Sequence, residues 1–234
     1  MQYIKSSIFS LYMILTVVFF GFLNLLLFFI PYKKRSYILK FWARSCLIVL
    51  DKVCQTKVII SGLENIPDTA CIVFSKHQST LETIVLQTIF SPQVWVLKRE
   101  LLWLPFFGWT LALGKPIAIN RSSGTRAIKQ IIEQGIDRLK NNYWLIIFPE
   151  GTRSKPGHKV KYKAGGAILA EKSGYDIIPV CHNSGFFWPK GQFLKKPGTV
   201  KFVVGPVIKN DKRPAKELLN HAEQWIESEY EKMS

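Results

Sequence analysis

The sequence predicts an α/β fold: a central, largely parallel or mixed sheet flanked by helices, with an N-terminal membrane-associated helical element. Three observations predict it. From residue 57 onward, short apolar runs alternate with longer stretches of helical periodicity, the pattern of strands exchanged with helices in a mainly parallel sheet. The first 30 residues hold a single charged side chain, Lys5. Polar clusters follow directly on the apolar runs, and in such sheets chemistry collects in the loops after the carboxyl ends of the strands. The expected organisation is residues 1–56 as membrane-anchoring helices and residues 57–234 as the α/β domain.

Residues 6–30 form an uncharged run of 25, roughly 37 Å long as a helix. A bilayer core is about 30 Å thick, so the run can span with tilt or lie deep in one leaflet. A cleaved signal peptide fits less well, because its apolar region is normally about 7–15 residues and ends at a small-residue site. This run ends in Ile30-Pro31-Tyr32. Lys33, Lys34, Arg35, Lys40 and Arg44 follow it, and only Lys5 precedes it. The positive-inside rule then places residues 31–234 on the cytoplasmic side. Residues 37–53 mix Ile38, Leu39, Trp42, Leu47, Ile48 and Leu50 with Lys40, Arg44, Asp51 and Lys52. They read as a second, amphipathic helix, either in the headgroup region or packed on the core.

Strands are expected at residues 57–61, 71–75, 94–97, 116–119, 144–148, 177–181 and 200–204. Pro179 inside the sixth suggests an edge strand or a bulge. Helices are expected at residues 79–89, 99–112, 125–141, 165–172 and 214–232. In the last, Pro214 sits near the first turn, and Leu218, Leu219, Ala222, Trp225 and Ile226 fall at helical spacing.

Hydrophobic residues make up 48% of the 234, enough for a sizeable core, and the net charge is +16. A surface this basic favours polyanions: nucleic acid, anionic headgroups or a phosphorylated substrate. The basic residues are dispersed, and no RNP, helix-turn-helix or zinc-finger signature occurs, which argues against a tethered nucleic-acid-binding protein. The four cysteines, Cys46, Cys54, Cys71 and Cys181, form no CxxC pair. Neither a zinc site nor a disulfide framework is expected, and Cys71 and Cys181 read as small hydrophobes inside strands.

Four clusters and one lysine can carry chemistry. In Ser75-Lys76-His77-Gln78-Ser79-Thr80-Leu81-Glu82, His77 and Glu82 would point about 140° apart on one continuous helix. They meet only if His77 precedes the helix and Glu82 lies in its first turns. A carboxylate on one imidazole nitrogen fixes the tautomer and leaves the other nitrogen as a base. Ser79-x-x-Glu82 is equally a capping box. In Phe148-Pro149-Glu150-Gly151-Thr152-Arg153-Ser154, Gly151 permits unusual backbone angles and Arg153 offers a planar fork for phosphate oxygens; the alternative is a polar turn. Residues 114–124 run from a strand into a loop holding Arg121, and residues 177–183 end in His182 and Asn183. Lys98 is a further cation at a strand terminus. His77, His158, His182 and His221 show no metal-ligand spacing, so no metal is expected.

The order of these clusters resembles the glycerolipid acyltransferase superfamily, and within it the bacterial-type 1-acylglycerol-3-phosphate acyltransferases. That family has a His-x4-Asp motif, a motif ending in arginine, a Phe-Pro-Glu-Gly-Thr-Arg-Ser motif and an apolar motif ending near Pro-Val. Here the counterparts are His77 to Glu82, Ile117 to Arg121, Phe148 to Ser154 and Ile177 to Val180. The likeness covers roughly residues 60–185. The acid is Glu82 where the family usually has Asp. An N-terminal pair of membrane-associated helices is also a family feature.

The resemblance implies transfer of a fatty acyl group from an acyl thioester, of coenzyme A or acyl carrier protein, to the free hydroxyl of a lysophospholipid. No further cofactor is implied. His77 and Glu82 would be the catalytic pair. Lys98, Arg121, Glu150, Gly151, Thr152 and Arg153 would bind substrate, with Arg153 on the acceptor phosphate. Backbone N–H groups after His77 would stabilise the oxyanion. The expected location is a bacterial-type inner membrane with the catalytic domain facing the cytoplasm. Other acceptors (glycerol 3-phosphate, another lysolipid, an ornithine-type lipid) remain open, as do a membrane-tethered polyanion-binding protein and an inactive lipid-binding relative.

Overall fold

Two helices lead the chain in the structure, a computed structural model that describes residues 1–233. Helix α1 (Gln2–Leu26) is almost entirely apolar, and Pro31, which has no N–H to lose, opens helix α2 (Tyr32–Cys54). The two pack antiparallel. Trp42 Nε1 donates to Thr16 Oγ1 at 3.1 Å, Tyr12 OH donates to Ser45 Oγ at 2.9 Å, and the Phe20 and Phe41 rings lie 6.2 Å apart.

Both ends of this hairpin are docked on the rest of the protein. Near the start of α1, Ser6 Oγ accepts from Lys195 N at 3.1 Å, and fully buried Phe9 meets the Trp188 edge at 5.8 Å. At the turn, Arg35 bonds Asn24 and Ile30 within the hairpin and the Leu113 carbonyl beyond it, the last at 3.2 Å. The outward face of α1 stays apolar and exposed, including Ile8, Leu15, Phe19, Phe22 and Leu26.

The strands are β1 (Thr56–Ser61), β2 (Ile72–Ser75), β3 (Gln93–Lys98), β4 (Ile117–Ile119), β5 (Trp144–Ile147), β6 (Ile177–His182) and β7 (Gly198–Val204). The helices after α2 are α3 (Leu81–Ile89), α4 (Phe107–Ala112), α5 (Thr125–Lys140), α6 (Gly165–Ser173), the one-turn α7 (Ser184–Phe187) and α8 (Ala215–Glu231). The strands form one sheet in the order β1-β7-β6-β2-β5-β3-β4. Every neighbouring pair is parallel except β6 with β7. The sheet is therefore mixed, as expected.

Alternation along each strand divides the core between the two faces. Ile72 and Phe74 pack with Leu145, Ile147, Leu169, Leu218 and Ile226 under α5, α6 and α8. Val73 packs with Ile146, Ile178, Leu81, Val85, Leu50 and Phe9 under α3, α2 and α1. Gly166 marks a close approach: a Cβ there would sit 2.6 Å from the Phe74 ring.

Two local expectations are corrected. The helix expected at 99–112 is broken into a 3₁₀ turn, Arg99–Trp103, and α4. Pro105 has no amide donor and forces Leu104 into extended backbone, φ −67° and ψ 121°. Strand β6 is neither an edge nor bulged at Pro179, since it lies between β2 and β7. Its ladder with β7 begins at Val180, and the Pro179 carbonyl accepts from Gly205 N at 2.8 Å, beyond the end of β7. The missing proline donor thus costs no ladder bond.

Candidate active site

His77 leaves the carboxyl end of β2 and precedes α3, so the strand–helix joint places it where Glu82 can reach back. His77 Nδ1 lies 2.8 Å from Glu82 Oε1. An ionised carboxylate only accepts, so Nδ1 carries the hydrogen and Nε2 is left bare. The imidazole stacks on the Phe148 ring at 3.9 Å and 11°. The same Glu82 oxygen accepts from Gln78 N at 2.9 Å and Ser79 N at 2.8 Å, while Leu81 N donates to Ser79 Oγ at 3.0 Å. Capping and ring orientation are thus simultaneous duties of one carboxylate. Burial pushes the Glu82 carboxyl up, but the His77 hydrogen bond, the electrostatic pull of the neighbouring His182 and His77 rings and the Ser79 amide outweigh it and hold it below the usual glutamate range.

These bonds correct the expectation for the oxyanion. The Gln78 and Ser79 amides are aimed at Glu82 and the Leu81 amide at Ser79 Oγ, so none is free for substrate. Thr80 lines the cleft beside His77, and its amide, like that of Glu82, has no acceptor among the described residues.

The loop after β5 grips the backbone of His77 from both sides. Glu150 Oε1 accepts from His77 N at 3.3 Å, and Ser154 donates to His77 O through its amide at 2.8 Å and its hydroxyl at 3.2 Å. Gly151 supports the turn with φ +69°. Glu150 itself is buried, and burial pushes its carboxyl up to about 7 against the opposing pull of Lys76. Lys76 Nζ sits 3.7 Å from Glu150, 2.6 Å from Glu227 on α8 and 4.4 Å from the centre of the Tyr230 ring. A buried cation thus joins the His77 loop to the last helix.

In front of His77 opens a cleft of about 370 Å³. One wall is apolar, with Val17, Phe20, Leu39, Trp42, Phe107 and Leu111 from α1, α2 and α4. Lys98, Arg121 and Arg153 line it together with His77. Of the residues expected from sequence, the structure therefore gathers His77, Glu82, Lys98, Arg121 and Arg153. Glu150, Gly151 and Thr152 do not line the cleft: Glu150 and Gly151 build the turn beneath His77, and Thr152 is exposed. No three His, Cys, Asp or Glu side chains among the described residues converge as a metal site.

Sequence reading left Lys76, His182, Ser184 and Glu227 without roles. Ser184 Oγ donates to Glu82 Oε2 at 3.0 Å across 102 residues of sequence, and Glu227 meets Lys76 across 151. No local pattern marks such pairs, although Lys76 and His182 stood inside clusters singled out for other members.

A histidine–carboxylate pair at a strand end, facing an apolar cleft rimmed by cations, is an arrangement suited to acyl transfer onto a lipid. The comparisons agree: residues 57–183 match the family model described as Acyltransferase, and the chain belongs to that family. A 1-acyl-sn-glycerol-3-phosphate acyltransferase from Pseudomonas aeruginosa is 43% identical over 201 residues, covering 84% of this chain and 78% of that protein. A chloroplastic enzyme of the same description from Arabidopsis thaliana is 28% identical, covering 86% of this chain and 56% of its own length. The crystal structure of the 1-acyl-sn-glycerophosphate acyltransferase from Thermotoga maritima superposes with a TM-score of 0.80 at 26% identity, covering 100% of this chain and 98% of that one.

Proposed function

We propose that the protein transfers a fatty acyl group from an acyl thioester to the free hydroxyl of 1-acylglycerol 3-phosphate, giving phosphatidic acid. The observation that carries this reading is the Glu82-oriented His77 in a cleft lined by Lys98, Arg121 and Arg153 and walled by apolar side chains of α1, α2 and α4. The acceptor is itself a phosphate on a lipid, and the cleft offers cations and apolar surface together. His77 Nε2 removes the hydroxyl proton as the oxygen attacks the thioester carbonyl. Glu82 holds the ring and balances the imidazolium. The Thr80 amide is the candidate donor to the tetrahedral oxyanion. Collapse expels the thiolate, which takes the proton back from His77, so the cycle closes without a protein nucleophile. General-base help of this kind contributes about 10²–10⁴-fold, and the scheme asks for no cofactor beyond the coenzyme A or acyl carrier protein thioester.

The protein is membrane-associated, and α1, with mean hydropathy 2.2 over its most apolar window and 11% of that window buried, is the element that meets lipid. Because both ends of α1 dock on the same domain, we place the hairpin in one leaflet rather than across the bilayer. The α/β domain then faces the headgroups from the cytoplasmic side, at the inner membrane of a bacterial-type cell. The test is purified, detergent-solubilised protein assayed with a panel of acceptors and both donor types. Fastest turnover is expected with 1-acylglycerol 3-phosphate; faster turnover with a phosphate-free lysolipid, or with glycerol 3-phosphate, would overturn the acceptor assignment.

A further inference from the structure

Glu82 is fully buried, and its two oxygens are held differently. Oε1 accepts from His77, Gln78 and Ser79, whereas the bond recorded to Oε2 is that from the Ser184 hydroxyl at 3.0 Å. Ser184 Oγ also stands 3.0 Å from His182 Nδ1, and His182 Nε2 stands 2.7 Å from the Lys76 carbonyl oxygen. Ser184 and His182 are both fully buried, so water does not fill these roles. The five groups form one line from the sheet to the base: Lys76 carbonyl, His182, Ser184, Glu82, His77.

Counting hydrogens constrains the line. The Lys76 carbonyl only accepts, so His182 Nε2 carries a hydrogen. Burial disfavours a charged His182 ring, against the raising influence of Glu82, and in the neutral ring with its hydrogen on Nε2 the Nδ1 is bare. A serine hydroxyl has one hydrogen, yet it faces two acceptors, Glu82 Oε2 and His182 Nδ1. Rotating that hydroxyl between them changes how much of the Glu82 charge is directed at His77, with no heavy atom moving.

We infer that Ser184 and His182 are positioning residues for the transfer: Ser184 holds the second oxygen of Glu82, and His182, anchored on the Lys76 carbonyl, sets where the Ser184 hydroxyl points. The inference rests on His77 being the base. Neither residue lines the cleft, so neither touches substrate. Their effect falls on turnover and not on binding.

The experiment is a double-mutant cycle on the full chain, with kcat and both KM values measured. Ser184→Ala removes the hydroxyl at nearly unchanged shape, and kcat is expected to fall about tenfold to hundredfold, the range of a hydrogen bond to a charged group, with both KM values within about twofold. His182→Gln keeps a donor for the Lys76 carbonyl but loses the nitrogen facing Ser184. It is expected to lower kcat by itself and to cost nothing further in the Ser184→Ala background, because it acts through that hydroxyl. A merely structural role would add its own cost and lower the melting temperature. Should Ser184→Ala fail to fold, Ser184→Cys, a weaker donor of similar shape, is expected to show reduced kcat. Wild-type kcat in either Ser184 variant, or multiplying effects in the double variant, overturns the inference. His77→Ala in the same assay separates the two readings. Activity retained there removes the base itself; activity lost there with wild-type kcat in Ser184→Ala removes only the positioning role.

Discussion

Replacing Glu82 by Gln isolates charge from geometry. The glutamine oxygen can take the place of Oε1 and accept from His77 Nδ1, Gln78 N and Ser79 N, the three donors now at 2.8–2.9 Å. Its amide nitrogen then faces Ser184 Oγ, which can accept. The opposite orientation would set an N–H₂ against three donors and is excluded. The helix start and the His77 tautomer both survive, and what disappears is the negative charge beside the forming imidazolium. A hydrogen bond to a charged partner is worth about 1.5–3 kcal/mol, so kcat is expected to fall roughly 10- to 150-fold. The melting temperature should move by only about 2–4 °C, the shift that 1 kcal/mol gives a chain of this size. Steady-state kinetics with saturating donor and acceptor, alongside thermal unfolding, measures both. Full activity in Glu82→Gln would refute a role for the charge and leave capping and orientation of the His77 ring as the residue's whole contribution.

Arg153→Ala is expected to raise the acceptor KM more than the donor KM, and Arg153→Lys to recover only part of the loss, since an ammonium lacks the planar fork. An effect on the donor alone would move Arg153 to the thioester side of the site. For Glu150, a carboxyl whose pKa rises from 4.5 unfolded to about 7 folded holds its proton more tightly when folded. Its contribution to stability is therefore complete below about pH 4.5, falls as pH rises to about 7 and is level above. The Tm difference between Glu150→Gln and wild type should accordingly shift in favour of the variant across that interval; a constant difference would show that Glu150 titrates normally. Single cysteines at Tyr3 and Phe28, both 67% exposed at opposite ends of the hairpin region, should be labelled from the same side of sealed vesicles. Labelling from opposite sides would mean that α1 spans.

All seven strands were legible because each is an apolar run ended by a polar or turn residue, and the sheet buries both of its faces. The break at Pro105 was equally local and was missed by following apolar spacing past a proline. Reading Pro179 as an edge marker failed for another reason: a proline is tolerated wherever its neighbour strand has ended, and strand ends are set by tertiary pairing. His77 and Glu82 could be paired only by placing His77 at the strand–helix joint and by the family resemblance, and capping and ring orientation looked like rivals because sequence does not show how many donors one oxygen accepts. Glu150 was placed among the substrate contacts, although the fold turns it under His77. Ser184, Lys76 and Glu227 depend on contacts between distant segments, which no local spacing encodes. Cys71 and Cys181 are buried free thiols as expected, and burial pushes Cys71 up to about 12 and Cys181 further.

The central claim is that His77 is the base that deprotonates the acceptor. Purified wild-type and His77→Ala proteins, given 1-acylglycerol 3-phosphate and an acyl thioester, test it most directly when phosphatidic acid formation is followed beside thermal unfolding and vesicle binding. The account expects kcat to fall about 10²–10⁴-fold while melting temperature and vesicle binding stay unchanged. A folded His77→Ala protein that keeps turnover within about threefold of wild type would contradict it, since loss of a general base costs far more than that.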